Sequence, residues 1–88
     1  MLYRRAGEWL EAEVNEELLM MHAESGRFVA LNETGAWLWA RLAEPRSREA
    51  LVEGLCAEFD VAPERACADV GAWLEAMRAE RAVEPDEG

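Results

Sequence analysis

Residues 25–39, with the sequence SGRFVALNETGAWLW, contain the change from strand to helix on which the predicted fold depends. Residues 27–31 are rich in side chains that fit a pleated surface, which predicts a strand. Asn32 follows at once, and its side-chain oxygen is suited to accept a hydrogen bond from a free amide in the first turn of a helix. Behind Asn32, apolar side chains recur at helical spacing, which predicts a helix at about 33–43.

Two further strands are predicted upstream of this segment. Residues 8–14 alternate imperfectly between apolar and polar side chains, and residues 18–22 form a compact apolar run. A turn around Asn15 separates these two strands, and Gly26 is suited to a tight reversal before the third. Reversals this short favour an antiparallel meander of three strands.

Two more helices are predicted downstream. Pro45 ends the first helix, because proline disfavours the α conformation in the residue before it. The Ser47 hydroxyl is suited to cap a second helix at about 47–59, and Pro63 suits the first turn of a third at about 63–81.

Strands followed by helices predict a single α+β domain over residues 1–88, with the helices packed on one face of a small antiparallel sheet. The acidic tail, residues 83–88, is expected to be frayed, although Val83 is suited to dock on the core.

The charge of the chain excludes some classes of partner. The 88 residues have a formal net charge of −10, and such a field repels the phosphate backbone of nucleic acids. The apolar runs are far shorter than the roughly 20 residues of a membrane-spanning helix, and the N-terminus has no apolar segment of the signal-peptide kind. We therefore expect a cytoplasmic protein that binds neither nucleic acid nor membrane.

The sequence has few residues suited to catalysis or to metal binding. Cys56 and Cys67 lie eleven positions apart without a CxxC motif, and His22 is the single histidine. A structural zinc site usually needs four ligands at close spacing, so we predict reduced, buried cysteines and no metal. His22 has no nucleophile or carboxylate at a recognisable spacing, which predicts a surface or packing role. We expect no active site, no cofactor and no enzymatic activity.

Three short motifs follow one another along the chain. The first is residues 25–39, the second is LVEGLCAEFDV at residues 51–61, and the third is DVGAWLEAM at residues 69–77. In this order they resemble the PqqD-like family, whose members are also called RiPP recognition elements. The resemblance covers roughly Leu18 to Val83, which is most of the chain.

The resemblance implies a winged helix-turn-helix-like domain with a three-stranded antiparallel sheet followed by three helices. Such domains bind the leader segment of a ribosomally made precursor peptide and present it to a separate maturation enzyme, such as a leader peptidase or a modifying enzyme. The leader adds as a strand to the sheet edge, beside the third helix. The implied peptide-binding residues are Arg27, Phe28, Val29, Ala30 and Leu31 in the third strand, with Phe28 or Val29 lining the groove, and Val70, Trp73, Leu74, Met77 and Arg78 in the third helix.

Several alternatives stay open at this point. The apolar residues of the third helix also fit plain core positions, and the sequence does not decide which of them face the groove. The turn at residues 31–36, LNETGA, looks more like that of stand-alone leader-binding proteins of lasso-peptide clusters than that of proteins of pyrroloquinoline quinone synthesis. Two other functions are an adaptor subunit that docks on an enzyme without binding peptide, and a helix-turn-helix DNA-binding protein, which the acidic charge opposes.

Overall fold

The computed structural model describes residues 1–86, which form six strands and three helices. In chain order they are β1 (Leu2–Arg5), β2 (Trp9–Val14), β3 (Glu17–His22), β4 (Phe28–Leu31), α1 (Glu33–Arg41), β5 (Arg46–Ser47), α2 (Arg48–Phe59), α3 (Pro63–Ala79) and β6 (Val83–Asp86). The predicted α+β fold class is confirmed, with three antiparallel strands followed by three helices. None of the helices in this part of the chain is long and apolar enough to cross a membrane.

Strands β2, β3 and β4 form the predicted antiparallel meander. The β2–β3 connection is a two-residue turn in which Asn15 and Glu16 have φ angles of 50° and 69°. Positive φ at both positions is the requirement of the type I′ turn, whose twist suits a hairpin. Along β3 the side chains of Leu18 and Met20 are buried, whereas Glu17, Leu19 and Met21, which alternate with them, are not. The meander therefore has one face on the core and one face turned away from it.

The predicted capping residues set the starts of α1 and α2. Asn32 Oδ1 accepts a hydrogen bond from the Gly35 amide at 2.9 Å, and Ser47 Oγ accepts one from the Ala50 amide at 3.0 Å. Each bond satisfies an amide that has no partner inside the helix. Since Asn32 alone separates β4 from α1, the helix begins directly at the end of the edge strand.

A second three-stranded antiparallel sheet, in the order β5-β1-β6, lies outside the predicted set of strands. It joins the two ends of the chain, with Arg5 opposite Val83. The predicted frayed tail is therefore wrong for residues 83–86, while the predicted docking of Val83 is confirmed, since its side chain belongs to the core. A local pattern does not predict this pairing, because the strands that pair with β1 lie more than 40 residues away along the chain. The rest of that prediction, residues 87–88, lies outside the described residues.

One apolar core joins the meander, the three helices and β6. Its buried side chains are Leu18, Met20, Leu31, Leu38, Trp39, Leu42, Leu51, Leu55, Ala66, Val70, Leu74, Met77, Ala82 and Val83. Trp9, Trp37 and Trp73 are partly buried against it. Both cysteines are free thiols, and Cys56 packs on the core. The prediction of a buried cysteine is wrong for Cys67, which is exposed because it lies one position beyond the buried Ala66 and so points off the apolar stripe of α3.

Candidate functional site

Strand β4 forms one edge of the β2-β3-β4 sheet, and no strand within residues 1–86 pairs with its outer side. The His22 amide donates to the Arg27 carbonyl at 2.8 Å, so these two opposite residues form a hydrogen-bonded pair. Such pairs alternate with unbonded ones along an antiparallel ladder, which directs the backbone groups of Val29 to β3. The amides and carbonyls of Phe28 and Ala30 then point outward, where a further strand can bond to them.

A groove of about 390 Å³ runs along this edge, between β4 and α3. Val29 lines it from the strand, and Trp73 and Met77 line it from the helix. Trp73 lies beside Leu31, while Glu80 at the end of α3 pairs with Arg27 before β4. The helix therefore runs antiparallel to the strand along the whole groove. Main-chain groups at an edge and apolar side chains beside it are the two features with which a sheet binds an extended peptide.

Trp73 occupies the end of the groove nearest to α1. Its indole Nε1 is buried and has no hydrogen-bond acceptor within the described chain. A Cβ atom placed on Gly35 would lie 3.1 Å from this nitrogen, which is tighter than an ordinary contact. The indole is therefore held by packing, and its depth depends on the absence of a side chain at Gly35.

The opposite end of the groove is closed by an ion pair. Arg27 Nη2 lies 2.6 Å from Glu80 Oε1 and joins the start of β4 to the end of α3. Both side chains are partly exposed, so the pair contributes at most about 1 kcal/mol and acts chiefly as a boundary. Glu17 also lines the groove, and no ion pair of residues 1–86 neutralises it. The groove is thus apolar along its length and acidic at its rim.

The residues predicted on the third helix separate into two groups. Trp73 and Met77 line the groove, although only 2% of Met77 is exposed. Val70 and Leu74 are core residues outside the lining, and Arg78 is exposed without contributing to it. The alternative interpretation of plain core positions therefore describes Val70 and Leu74.

The residues predicted on the third strand also differ in their placement. Val29, Ala30 and Leu31 line the groove, so Val29 is the one of the two proposed lining residues that faces it. The Phe28 side chain points to the other face of the sheet and is 70% exposed. Arg27 reaches the groove end through its ion pair.

Five lining residues are absent from the predicted set. They are Glu17, Asn32, Gly35, Ala76 and Glu80. The helical spacing i, i+3 and i+7 from Trp73 contains Ala76 and Glu80, so this pattern was sufficient to find them. The sequence indicated Asn32 only as a helix cap and Gly35 only as part of a turn. Glu17 reaches the groove because the hairpins bring β3 beside β4, and no local pattern predicts that approach.

The opposite edge of the same sheet, β2, also has outward backbone groups, but acidic side chains lie along it. The Ala23 amide donates to the Glu8 carbonyl at 2.9 Å, and alternation from this pair leaves the amides of Glu11 and Glu13 pointing outward. Glu11 already accepts a hydrogen bond from Trp39 Nε1 at 2.9 Å. Charged residues on an edge strand discourage pairing with another strand. Of the two edges, β4 is the better suited to accept one.

The described chain brings together no set of metal ligands: residues 1–86 contain no cluster of three or more His, Cys, Asp or Glu side chains able to hold a metal. His22 has a local role, because its Nδ1 accepts hydrogen bonds from the Glu24 and Ser25 amides at 3.2 Å. Its ring also packs edge-on against Trp9, with centroids 5.1 Å apart. The predicted packing role of His22 is confirmed.

Fold and groove together define a class of small α+β domains with an open sheet edge beside the last helix. The chain belongs to the PqqD family, since the family model for coenzyme PQQ synthesis protein D (PqqD) matches residues 17–83. This confirms the predicted family and nearly the predicted extent of the resemblance. No curated protein matches the sequence.

Two solved structures share the fold over almost their full length. TbiB1 in complex with the TbiA(beta) leader peptide has a TM-score of 0.80 and 22% sequence identity, covering 97% of this chain and 99% of that one. Lasso peptide synthetase B1 complexed with the leader peptide has a TM-score of 0.79 and 23% identity, covering 94% and 98%. At this identity the likeness establishes the fold alone.

Proposed function

We propose that this protein binds the leader segment of a ribosomally synthesised precursor peptide as an added strand on β4, and presents it to a separate maturation enzyme. One observation carries the proposal: the outward backbone groups of Phe28 and Ala30 run beside the groove between β4 and α3. The protein itself takes no catalytic part, and the peptidase or modifying enzyme is a different chain.

The backbone of the leader supplies the part of the affinity that does not depend on its sequence. Phe28 and Ala30 each offer one donor and one acceptor, and a hydrogen bond of this kind contributes about 0.5–1.5 kcal/mol net. A peptide strand also satisfies the unpaired backbone groups of β4, and the bound state is an ordinary four-stranded sheet with the leader at its edge.

The groove supplies the selection among peptides. A leader residue placed opposite Val29 has its side chain on the groove side, where it meets Trp73 and Met77. An apolar side chain is favoured there, because the contact removes apolar surface from water at about 25 cal/mol per Å². The carboxylate of Glu17 favours a neutral or basic leader residue at its end of the groove and disfavours an acidic one.

The similar solved structures support this proposal, because both are complexes with leader peptides and one is described as a lasso peptide synthetase B1. We therefore propose that the chain serves a lasso-peptide cluster as a leader-binding protein, which the LNETGA turn at residues 31–36 also favours. The DNA-binding alternative is disfavoured by the net charge of −10, since binding to phosphate depends on cationic side chains.

The test is a titration of the protein into fluorescein-labelled synthetic peptides that contain the leader halves of the precursor-like peptides encoded beside this gene. Ala30→Pro removes one outward amide, and edge strands tolerate proline where that amide is free. We expect this variant to remain folded and to bind the leader about tenfold more weakly or worse by fluorescence anisotropy.

Glu13→Pro is the matched control, because it removes an outward amide from the opposite edge, β2. We expect it to bind the leader within about twofold of the unmodified protein. Val29→Pro is unsuitable, since the Val29 amide belongs to the β3–β4 ladder and its loss damages the fold. Normal binding by a folded Ala30→Pro variant, or an equal loss in Glu13→Pro, contradicts capture on β4.

A further inference from the structure

The face of the β2-β3-β4 sheet that points away from the core is apolar across all three strands. The pairing register places Leu10, Met21 and Phe28 in one row, and Ala12, Leu19 and Ala30 in the next. Side chains directly opposite one another share a face, so these six form one continuous surface. We call this set of six residues the outer face.

The outer face is open to solvent. The side chains of Leu10 and Phe28 are 58% and 70% exposed, among the largest values for bulky apolar residues of the described chain. Leu19 and Met21 of the central strand are only partly covered, and none of the six belongs to the core cluster. Contiguous apolar surface of this kind on a soluble domain usually marks a contact with another molecule.

Carboxylates border the outer face at both ends. Glu17 lies opposite Val14 in the row beyond Ala12. At the other end, Glu8 lies opposite Ala23 in the row beyond Leu10. Alternation directs Glu8 to the side of the outer face. Glu17 also lines the groove, so it lies where the outer face and the groove meet. The surface therefore has an apolar centre and acidic ends, within a chain whose net charge is −10.

We propose that the outer face is the docking surface for the maturation enzyme, and that this partner presents an apolar patch bordered by lysine or arginine. The apolar centre supplies contact area with Phe28 as an aromatic anchor, and the acidic ends match the basic border. The identity of the partner as a maturation enzyme rests on the proposed leader-binding function; the chemistry of the surface does not.

A bound leader enlarges this same surface. Leader residues opposite Phe28 and Ala30 have their side chains on the outer face, because directly opposite residues in an antiparallel pair share a side. The added strand lies about 4.8 Å from β4 and extends both apolar rows by one position. A partner on the outer face therefore contacts the protein and the leader together, and binds the loaded form more tightly than the empty one.

A second copy of the chain is a poorer occupant. Face-to-face packing of two copies brings together two molecules of charge −10, each with Glu8 and Glu17 at the ends of the contact. Like charges placed opposite one another at an interface oppose association. The charge of the surface thus selects a basic partner and not self-association.

The experiment measures binding of the purified proteins encoded by the adjacent genes to this chain by biolayer interferometry, with and without a saturating leader peptide. The variant is Leu10→Ser, which lies on β2 and leaves the groove intact. The matched control is Leu2→Ser, an exposed leucine of the other sheet. We expect one neighbour-encoded protein to bind, with affinity reduced about tenfold by Leu10→Ser, unchanged by Leu2→Ser, and lowered several-fold between about 50 and 300 mM NaCl.

The same variants are titrated with the leader alone, which separates the two proposals. Normal leader binding by Leu10→Ser with lost partner binding supports the outer face as the docking surface. If the unmodified protein binds no leader, the leader function is refuted, but docking that depends on Leu10 can still be measured. Equal partner binding by Leu10→Ser and Leu2→Ser, no binding by any neighbour-encoded protein, or a dimer that Leu10→Ser converts to monomer overturns the docking proposal.

Discussion

At the scale of single residues, the contact between Gly35 and Trp73 sets the depth of the groove. Glycine at this position was predicted only as part of a turn after the strand, and Trp73 only as a groove residue of the third helix. The structure brings them together, with 3.1 Å between the indole nitrogen and the position of a Cβ on Gly35. The function of Gly35 thus depends on a residue 38 positions away, which its own neighbourhood does not indicate.

Gly35→Ala is expected to reduce leader binding several-fold while changing the free energy of unfolding by less than about 1 kcal/mol. Alanine favours the helix by up to about 1 kcal/mol, which offsets the close contact with the indole. The indole moves toward the open groove and occupies part of the space for the leader. Leader titration and urea unfolding measure the two effects.

Trp73→Phe supplies the control, because phenylalanine has no nitrogen-bearing ring edge at this contact. In the Trp73→Phe background, Gly35→Ala should change leader affinity by less than about twofold, as a double-mutant cycle measures directly. The same loss in both backgrounds would show that Gly35 acts independently of Trp73.

At the scale of elements, the sequence defines where helices begin better than where they end. Asn32, Ser47 and Pro63 begin the three helices as predicted, but α3 ends at Ala79 instead of about residue 81. The Ala82 amide donates to the Met77 carbonyl at 2.9 Å, and Arg81 has a φ of 60°. These are features of a Schellman motif, which usually contains glycine at the position of Arg81. Without glycine there, the sequence carried no signal for the end of the helix.

Gly54→Ala is expected to destabilise the protein by about 1–3 kcal/mol, although alanine favours a helix. A Cβ atom on Gly54 of α2 would lie 2.7 Å from Trp37 Cη2, so the ring leaves no room for a methyl group there. The Trp37 ring is held by an edge contact with Phe59, at 6.0 Å, and by Arg41 over its face, at 4.9 Å. Urea unfolding followed by circular dichroism measures the change.

Gly71→Ala on α3 is the matched substitution. A Cβ atom there would lie 2.6 Å from Arg48 Nη2, the far end of a flexible, exposed side chain that can move aside. We expect this variant to be unchanged or up to about 1 kcal/mol more stable. Similar losses of stability in both variants would mean that replacing a glycine inside either helix has this cost, whether or not the new methyl group meets the Trp37 ring.

At the scale of the whole molecule, β6 closes the domain by pairing with β1. Val83→Ala is expected to cost about 1–3 kcal/mol of unfolding free energy, because it deletes buried methyl groups at the point where the tail meets the core. Glu84→Ala, on the next residue, removes an exposed ion pair with Arg4 and should cost less than about 0.5 kcal/mol. Thermal and urea unfolding measure the loss of unfolding free energy in each variant. Equal losses would contradict anchoring of the tail by Val83.

The sequence by itself determined the meander, the three helices, the caps of α1 and α2, and the family. Each of these depends on spacing between residues that are close in the chain, such as the passage from β4 through Asn32 into α1. The groove-lining roles of Val29, Trp73 and Met77 were also within its reach, because strand alternation and helical periodicity limit which side chains share a face.

Tertiary structure alone decided the rest. The sheet of β1, β5 and β6 requires residues that are far apart in the chain. On α3, only packing decides that the core residues Val70 and Leu74 stay outside the groove while Trp73 and the equally buried Met77 reach it. The outer face depends on the register of three strands, since Leu10, Met21 and Phe28 become one row only when the hairpins set which residues are opposite. The physical reason is common to all three cases: a periodic pattern fixes the directions of side chains relative to their own element, whereas the element that covers them, or leaves them open, comes from elsewhere in the chain.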